Sequence, residues 1–367
     1  MKILFMGQLG HGQTSRMRME VLHDLGHEIV PLNTQTPWDK PSWLSRRVQQ
    51  GLSRGPTIKQ INQQVAKLVG ESKPDFLWAE KQEYLEPDTL QQIRRQGIRT
   101  LHFTPDPYFT LSWKRTPLMD ACMPLFDYVV TAKQYELTEY EATCQKVIYM
   151  PLGFSLAVHR PYFPINRQQV THFQSDVGFL GGWEPRRERL LDSIVTHTNS
   201  RLKIWGYSWD HVRDGRWTPR RAYRMRLLSG NDDFQIRQND RLARALQGGE
   251  VYGDQYAWAL SGAKIGVGFL RKVCPDQHTT RTFEIPACGS LLLADRTVEH
   301  QDFFVEGVEA DFFSSAEELT EKVCFYLNNE KVRARVAYNG YLKCQSAGYS
   351  YHSRMREVLG GINRDFS

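Results

Sequence analysis

Lys2-Ile3-Leu4-Phe5-Met6-Gly7-Gln8-Leu9-Gly10-His11-Gly12-Gln13-Thr14-Ser15 is the stretch whose reading decides the fold class. Ile3 to Met6 form an unbroken apolar run, the pattern of a strand buried on both faces in a parallel sheet. The glycine-rich turn then passes into a helix over about Arg16 to Leu25, which Gly26 ends, and His27-Glu28-Ile29-Val30-Pro31-Leu32 returns as a second strand. Strand, turn, helix and strand make a Rossmann-like unit. The turn reads G-x-x-G-x-G rather than G-x-G-x-x-G, and Asn33 stands where dinucleotide binders carry an acid, which disfavours NAD. What remains is a set of backbone N–H groups at a helix N-terminus, with Gly10, Gly12 and Thr14 as candidate ligand contacts and Thr14 and Ser15 as caps. Such a turn suits a phosphate or a sugar hydroxyl. It also reads as a plain tight turn.

Outward from this unit the strands and helices keep alternating, which predicts parallel sheets with crossover helices. Asp75-Phe76-Leu77-Trp78-Ala79 and Arg99-Thr100-Leu101-His102-Phe103 are further strands, and the second leads into Thr104-Pro105-Asp106-Pro107-Tyr108. An acid between two prolines at the C-terminal end of a strand is held on a rigid loop where α/β ligands bind. Asp106 is therefore a candidate base for an acceptor hydroxyl, with a structural Asx turn as the alternative and His102 as the weaker candidate. Strands at Asp127–Ala132 and Lys146–Gly153 complete a first domain over residues 1–155, and the proline-rich stretch through His159-Arg160-Pro161-Tyr162-Phe163-Pro164 reads as a hinge.

A second domain over residues 165–345 opens with Ser175-Asp176-Val177-Gly178-Phe179-Leu180-Gly181-Gly182-Trp183-Glu184-Pro185-Arg186-Arg187, again strand, glycine turn and helix. Either arginine has the bidentate fork that fits phosphate. Further along, Pro275-Asp276-Gln277-His278-Thr279-Thr280-Arg281-Thr282-Phe283-Glu284 leads through Ile285-Pro286-Ala287-Cys288-Gly289-Ser290 into the buried strand Leu291-Leu292-Leu293-Ala294-Asp295. Arg281 and Glu284 lie three apart in a helix and share a face, so they can reach one ligand together unless they form an ordinary surface ion pair. Residues 346–367 form an amphipathic tail expected to pack back on the first domain.

The run from Asp276 to Glu284, with Arg296-Thr297, Glu299-His300, Phe304, Glu306-Gly307 and Glu309-Ala310, resembles the CgeB-type branch of the group 1 glycosyltransferases. Asp276 takes the place of the usual first Glu of the family's two-acid pattern. The resemblance implies two Rossmann-like α/β domains facing across a cleft, the GT-B architecture, and transfer of a sugar from a nucleotide diphosphate-sugar. It implies that Arg186, Arg281 and the N–H groups near Thr279 and Thr280 meet the diphosphate and that Glu284 meets the ribose. Tyr252 would wall the base, or cap the core, and Asp276 and His278 would sit against the sugar. It favours retention of configuration, with Asp106 as base if the reaction inverts.

Composition narrows the class further. The balance of 41% apolar to 24% charged residues is that of a globular chain, and no apolar run reaches the length of a membrane span. The N-terminus enters a strand without a cleavage site, so a cytoplasmic location is expected. The six cysteines lack C-x-x-C spacing and read as reduced thiols, and neither D-x-D nor zinc-type spacing occurs, so no metal or separate cofactor is expected. Arginines crowd between Arg213 and Arg244, either as solvated helices or as a patch for a polyanionic acceptor: a polysaccharide, a nucleic acid or a lipid surface. A sugar-nucleotide epimerase and a non-catalytic nucleotide-sugar-binding protein are the rival readings.

Overall fold

The computed structural model describes residues 1–112, 115–216 and 238–364. Arg220, Arg221, Arg224, Arg226 and Arg237 of the arginine-rich stretch lie outside the described residues. The chain divides into two compact units, one formed by Met1–Leu152 with the C-terminal helix from Tyr351, the other by Gly153–Ser350. The two points where the chain enters and leaves the second unit run side by side, joined by a parallel bridge between Phe154 and Ser350.

In the first unit six parallel strands carry β1 (Lys2–Gly7), β2 (Glu28–Asn33), β3 (Phe76–Glu80), β4 (Arg99–Thr104), β5 (Tyr128–Thr131) and β6 (Val147–Tyr149), in the order β2-β1-β3-β4-β5-β6. Leu4, Met6, Leu77 and Val129 are fully buried from the sheet side against Ile58, Ile61, Val65, Leu90 and Ile93 of the covering helices. Each such side chain contributes roughly 1.5–3 kcal/mol on leaving water. The order reverses between β1 and β3, so the β1 turn and the end of β3 flank a switch point, where open α/β sheets leave a crevice.

The second unit repeats the plan with β7 (Ser175–Leu180), β8 (Leu202–Trp205), β9 (Ala263–Gly268), β10 (Leu291–Asp295) and β11 (Asp311–Phe313), in the order β11-β10-β9-β7-β8. Its switch point lies between β7 and β9. Val177, Ile204, Ile265, Val267, Leu291 and Leu293 form the sheet side of its core.

One detail departs from the sequence reading. Helix α1 spans Thr14–Asp24, with Gln13 at its N-cap and no side-chain cap bond, so Thr14 and Ser15 are not caps. Ser15 is buried instead, and the Thr14 hydroxyl accepts from Arg18 Nη2 at 3.3 Å. The stretch after Asp295 holds the short helix Val298–Phe303 and the three-residue strand β11. All six cysteines are free thiols, four of them buried.

Candidate functional site

Glycine builds the end of β7. A Cβ at Gly206 would lie 2.0 Å from the Gly181 carbonyl oxygen, with φ at +152, and a Cβ at Gly182 would lie 2.4 Å from the Tyr207 ring. Only glycine lets the turn after β8 press on the turn after β7. Hydrogen bonds lock the contact, from Gly181 N to Trp205 O at 2.9 Å and from Trp183 N to Tyr207 O at 3.0 Å. Gly182 thus lies under the exposed Tyr207 ring, and Tyr207 and Tyr252 are 49% and 41% accessible. Tyr252 is thus not a core tyrosine.

Arginines converge on the same end of the sheet. Arg187, on the helix Pro185–His197, is buried and spans the switch point, donating from Nη1 to Gly182 O at 2.9 Å and from Nη2 to Phe269 O at 3.4 Å. Its Nε has no partner among the described residues. Burial lowers its pKa from the usual arginine value, Glu184 opposes this, and Arg271 and Arg281 add repulsion. Glu184 is held by Arg271 at 3.1 Å and Arg187 at 3.6 Å, although burial still leaves its carboxyl above its usual range. Arg281 donates from Nε to Leu180 O, the last residue of β7, at 3.2 Å. Three guanidinium groups, of Arg187, Arg271 and Arg281, therefore lie near the ends of β7 and β9, a field that favours an anion with several oxygens.

Arg186 is more constrained than the sequence suggested. It forms a bidentate pair with Asp295 at the end of β10, one arm at 3.0 Å, and Asp295 also accepts from Leu270 N at 2.8 Å. Arg187 is the more buried of the two arginines, and Arg186 is committed to Asp295. Sequence reading missed Asp295, because it ends an apolar strand and its partner is 109 residues away.

The Arg281 and Glu284 pair also needs revision. Glu284 is buried, not on a solvated face; its Oε2 accepts from Tyr256 Oη at 2.5 Å and its Oε1 faces His159 Nε2 across 3.6 Å. His159 Nδ1 accepts from Ser155 N at 2.9 Å, which leaves the proton on Nε2 in the neutral ring. Arg281 lies over the Tyr256 ring at 5.8 Å, so the two expected partners meet through Tyr256. Glu284→Gln is therefore expected to cost about 1–3 kcal/mol of stability by weakening a buried charged hydrogen bond. Thermal melting reads this, and an unchanged melting temperature would show that Tyr256 does not depend on the carboxylate.

Thr280 precedes the helix Arg281–Ala287 without capping it, and its hydroxyl accepts from Arg281 Nη1 at 3.3 Å. The Thr279 N–H is taken by Thr282 Oγ1 at 3.1 Å, which removes it from the donors expected for phosphate. Asp276 is half-buried and accepts from Cys274 Sγ at 3.2 Å. His278 is 2% exposed, pairs with Glu299 and packs between Phe283 and Phe303, with ring centroids 5.8 and 5.3 Å away. It is buried in the core, where the expected contact with a sugar would need an exposed ring.

In the first unit, Gly12 takes φ +76 and Gln13 N closes the β1 turn on Gly10 O at 3.2 Å. A Cβ at Gly10 would meet only ordinary contacts at 3.7 Å, so the turn itself does not require that glycine. Across the switch point, Arg18 and Glu80 form a buried pair at 2.7 Å that holds α1 to β3. Lys81 follows in the left-handed region at φ +50 and pairs with Asp106 at 3.0 Å. A lysine held there costs on the order of 1 kcal/mol, a strain that functional loops often carry. His102 is buried, its Nε2 accepting from Gln82 N at 3.0 Å, in keeping with a core histidine. Among the described residues no group of three His, Cys, Asp or Glu side chains is arranged to hold a metal, and no helix is long and apolar enough to cross a membrane.

Comparison places this geometry among known proteins. The family model described as glycosyl transferase-like matches residues 186–360. No curated protein sequence matches the chain. Sucrose-phosphate synthase from Thermosynechococcus elongatus is similar in structure at 14% identity, with 100% of this chain and 98% of that one covered and a TM-score of 0.68. Anabaena HepE in complex with UDP-glucose is similar at 11% identity, 99% and 100% coverage and a TM-score of 0.63. A Listeria monocytogenes protein assigned as a UDP-N-acetylglucosamine 2-epimerase is similar at 11% identity, 100% and 96% coverage and a TM-score of 0.53. The fold is thus the two-unit Rossmann-like α/β fold of GT-B proteins. It hosts more than one chemistry, so activity rests on the residues.

Proposed function

We propose that the protein is a glycosyltransferase that takes a sugar from a nucleoside-diphosphate donor, with the diphosphate at the ends of β7 and β9. The observation that carries this reading is the convergence of Arg187, Arg271 and Arg281 on the second switch point, with one buried Arg187 N–H unpartnered. The match to a glycosyl transferase-like model over residues 186–360, which include all three arginines, supports it. So does the likeness to a structure holding UDP-glucose.

In the transfer, the bond between the anomeric carbon and the diphosphate oxygen breaks, and its electron pair stays on the phosphate. The acceptor hydroxyl oxygen forms the new bond and gives up its proton, to the departing diphosphate oxygen if configuration is retained or to Asp106 if it inverts. Charge therefore grows on the leaving diphosphate, and guanidinium groups fixed before the reaction stabilise it without reorganising. Tyr207 and Tyr252 offer ring faces for the base, and Asp276 stands where the family resemblance sets the sugar. Asp106 is the base for the acceptor hydroxyl if configuration inverts; retention is the reading the resemblance favours. Its pairing with Lys81 must loosen before it can take a proton.

This account assigns leaving-group stabilisation to arginine rather than to a divalent ion. Turnover is expected to survive EDTA at its full rate. Loss of activity in EDTA with rescue by a divalent ion overturns that assignment. The functional test is incubation with nucleotide-sugars and an acceptor panel, with product analysis. A new glycoside, or slow release of free sugar without acceptor, agrees with the proposal; an epimerised nucleotide-sugar formed without acceptor contradicts it.

A further inference from the structure

Helix α2 (Trp43–Leu52) of the first unit is built inside out. Its inward face is polar: Gln49 and Ser53 are buried, Gln49 Nε2 donates to Ser45 Oγ at 3.0 Å, and Gln49 Oε1 accepts from Thr57 N at 2.8 Å. That last bond caps the first turn of α3 (Pro56–Ser72). Gly55 has no Cβ to fill the space that the Gln49 side chain occupies, 2.5 Å from where such an atom would lie. Arg46 is tied to the Trp38 carbonyl, and Gln50 Nε2 donates to Tyr84 Oη at 3.2 Å. These bonds fix the rotation of the helix. Its apolar residues are consequently left in solvent, with Trp43 at 67%, Leu44 at 58%, Val48 at 51% and Leu52 at 57% exposure. Leu44, Val48 and Leu52 recur every fourth residue and form one stripe, with Trp43 at its start.

The charges carried by this segment of chain are of one sign. From Lys40 to Gly70 the sequence has no Asp or Glu, yet it carries Lys40, Arg46, Arg47, Arg54, Lys59 and Lys67. An exposed apolar stripe with a tryptophan, on a segment whose charges are all cationic, fits an interface of hydrocarbon beneath anionic headgroups. A second copy of the chain fits less well, since two-fold pairing of this face sets arginines against arginines. We propose that α2 is an interfacial anchor that seats the first unit on an anionic lipid surface. The helix follows β2, and Tyr84 follows β3, so the anchor lies at the ligand end of the first sheet. An acceptor carried in the bilayer then meets the unit at the end where Asp106 stands. That consequence rests on the glycosyltransferase reading, whereas lipid binding itself does not.

The test is flotation of the full chain with vesicles of phosphatidylcholine, and with vesicles of an equal mixture of phosphatidylcholine and phosphatidylglycerol. The protein is expected to float with the mixed vesicles only. Combined Leu44→Ser, Val48→Ser and Leu52→Ser should weaken that association about tenfold or more, with thermal stability kept because the positions are exposed. Arg47→Gln with Arg54→Gln, or raised salt, should weaken it as well, by removing or screening the headgroup attraction. Absence of binding to mixed vesicles overturns the proposal, as does equal binding by the serine variant. A dimer in light scattering that the serine variant converts to monomer also overturns it and assigns the face to a second copy.

Discussion

Arg281→Lys is expected to lower kcat/KM for the nucleotide-sugar about a hundredfold, while stability changes by no more than about 1 kcal/mol. The guanidinium of Arg281 lies over Tyr256, anchors through Nε on Leu180 O and donates from Nη1 to Thr280 Oγ1, so its plane is fixed toward the end of β7. A lysine offers a point charge on a flexible stem and loses the paired geometry. The same substitution removes a half-buried hydrogen bond to a carbonyl, a loss near the usual net value for such bonds. Steady-state kinetics and thermal melting on one preparation separate the two effects. A fall in melting temperature with kcat/KM intact makes Arg281 a structural residue and removes it from the donor site.

Stability is expected to fall on mild acidification through two histidines that fold in the neutral form. Burial lowers the pKa of His102 in the first unit to about 4, and burial lowers His300 in the second to about 4 despite its bond to the Asp295 carbonyl. The His300 ring is satisfied as a neutral group, with Nδ1 on Asp295 O at 2.6 Å and Nε2 on the Thr282 hydroxyl at 2.8 Å. Because the folded pKa lies below the unfolded one, the unfolded chain binds protons first. The stabilisation is present above about pH 6.5 and is lost as pH falls toward 4. At pH 5 each histidine should have given up about 2 kcal/mol relative to pH 7. Denaturant unfolding at the two pH values measures the loss, and His102→Gln should remove the first unit's share of it. Equal stability at pH 7 and pH 5 contradicts the assignment.

Much of the architecture was legible because parallel strands announce themselves as apolar runs. Ile3 to Met6, Leu77 to Ala79 and Leu291 to Ala294 are fully or almost fully buried, as their composition required. The strand β11 escaped because three residues, Asp311-Phe312-Phe313, are too few to show a period. The candidate site was legible in part. Arg281 and Glu284 do converge, but through Tyr256, 25 residues before Arg281 in the sequence, which no spacing rule reveals. His278 carries no sequence signal of its inward turn, since Gln277 and Thr279 beside it are polar and its partner Glu299 comes from the next crossover. The exposed stripe of α2 is the reverse case. Sequence patterning places an apolar stripe inward, and only the bonds of Gln49 show that this helix turns the other way.

The central claim, that the second unit grips a diphosphate with arginines, is tested most directly by calorimetric titration in EDTA. UDP, GDP, ADP and TDP are each compared with the corresponding nucleoside. The account predicts that at least one diphosphate binds at one site per chain, at least about a hundredfold more tightly than its nucleoside, since charged bidentate contacts to phosphate supply most of the affinity. Equal binding of nucleoside and diphosphate, or binding of none of the four, contradicts it.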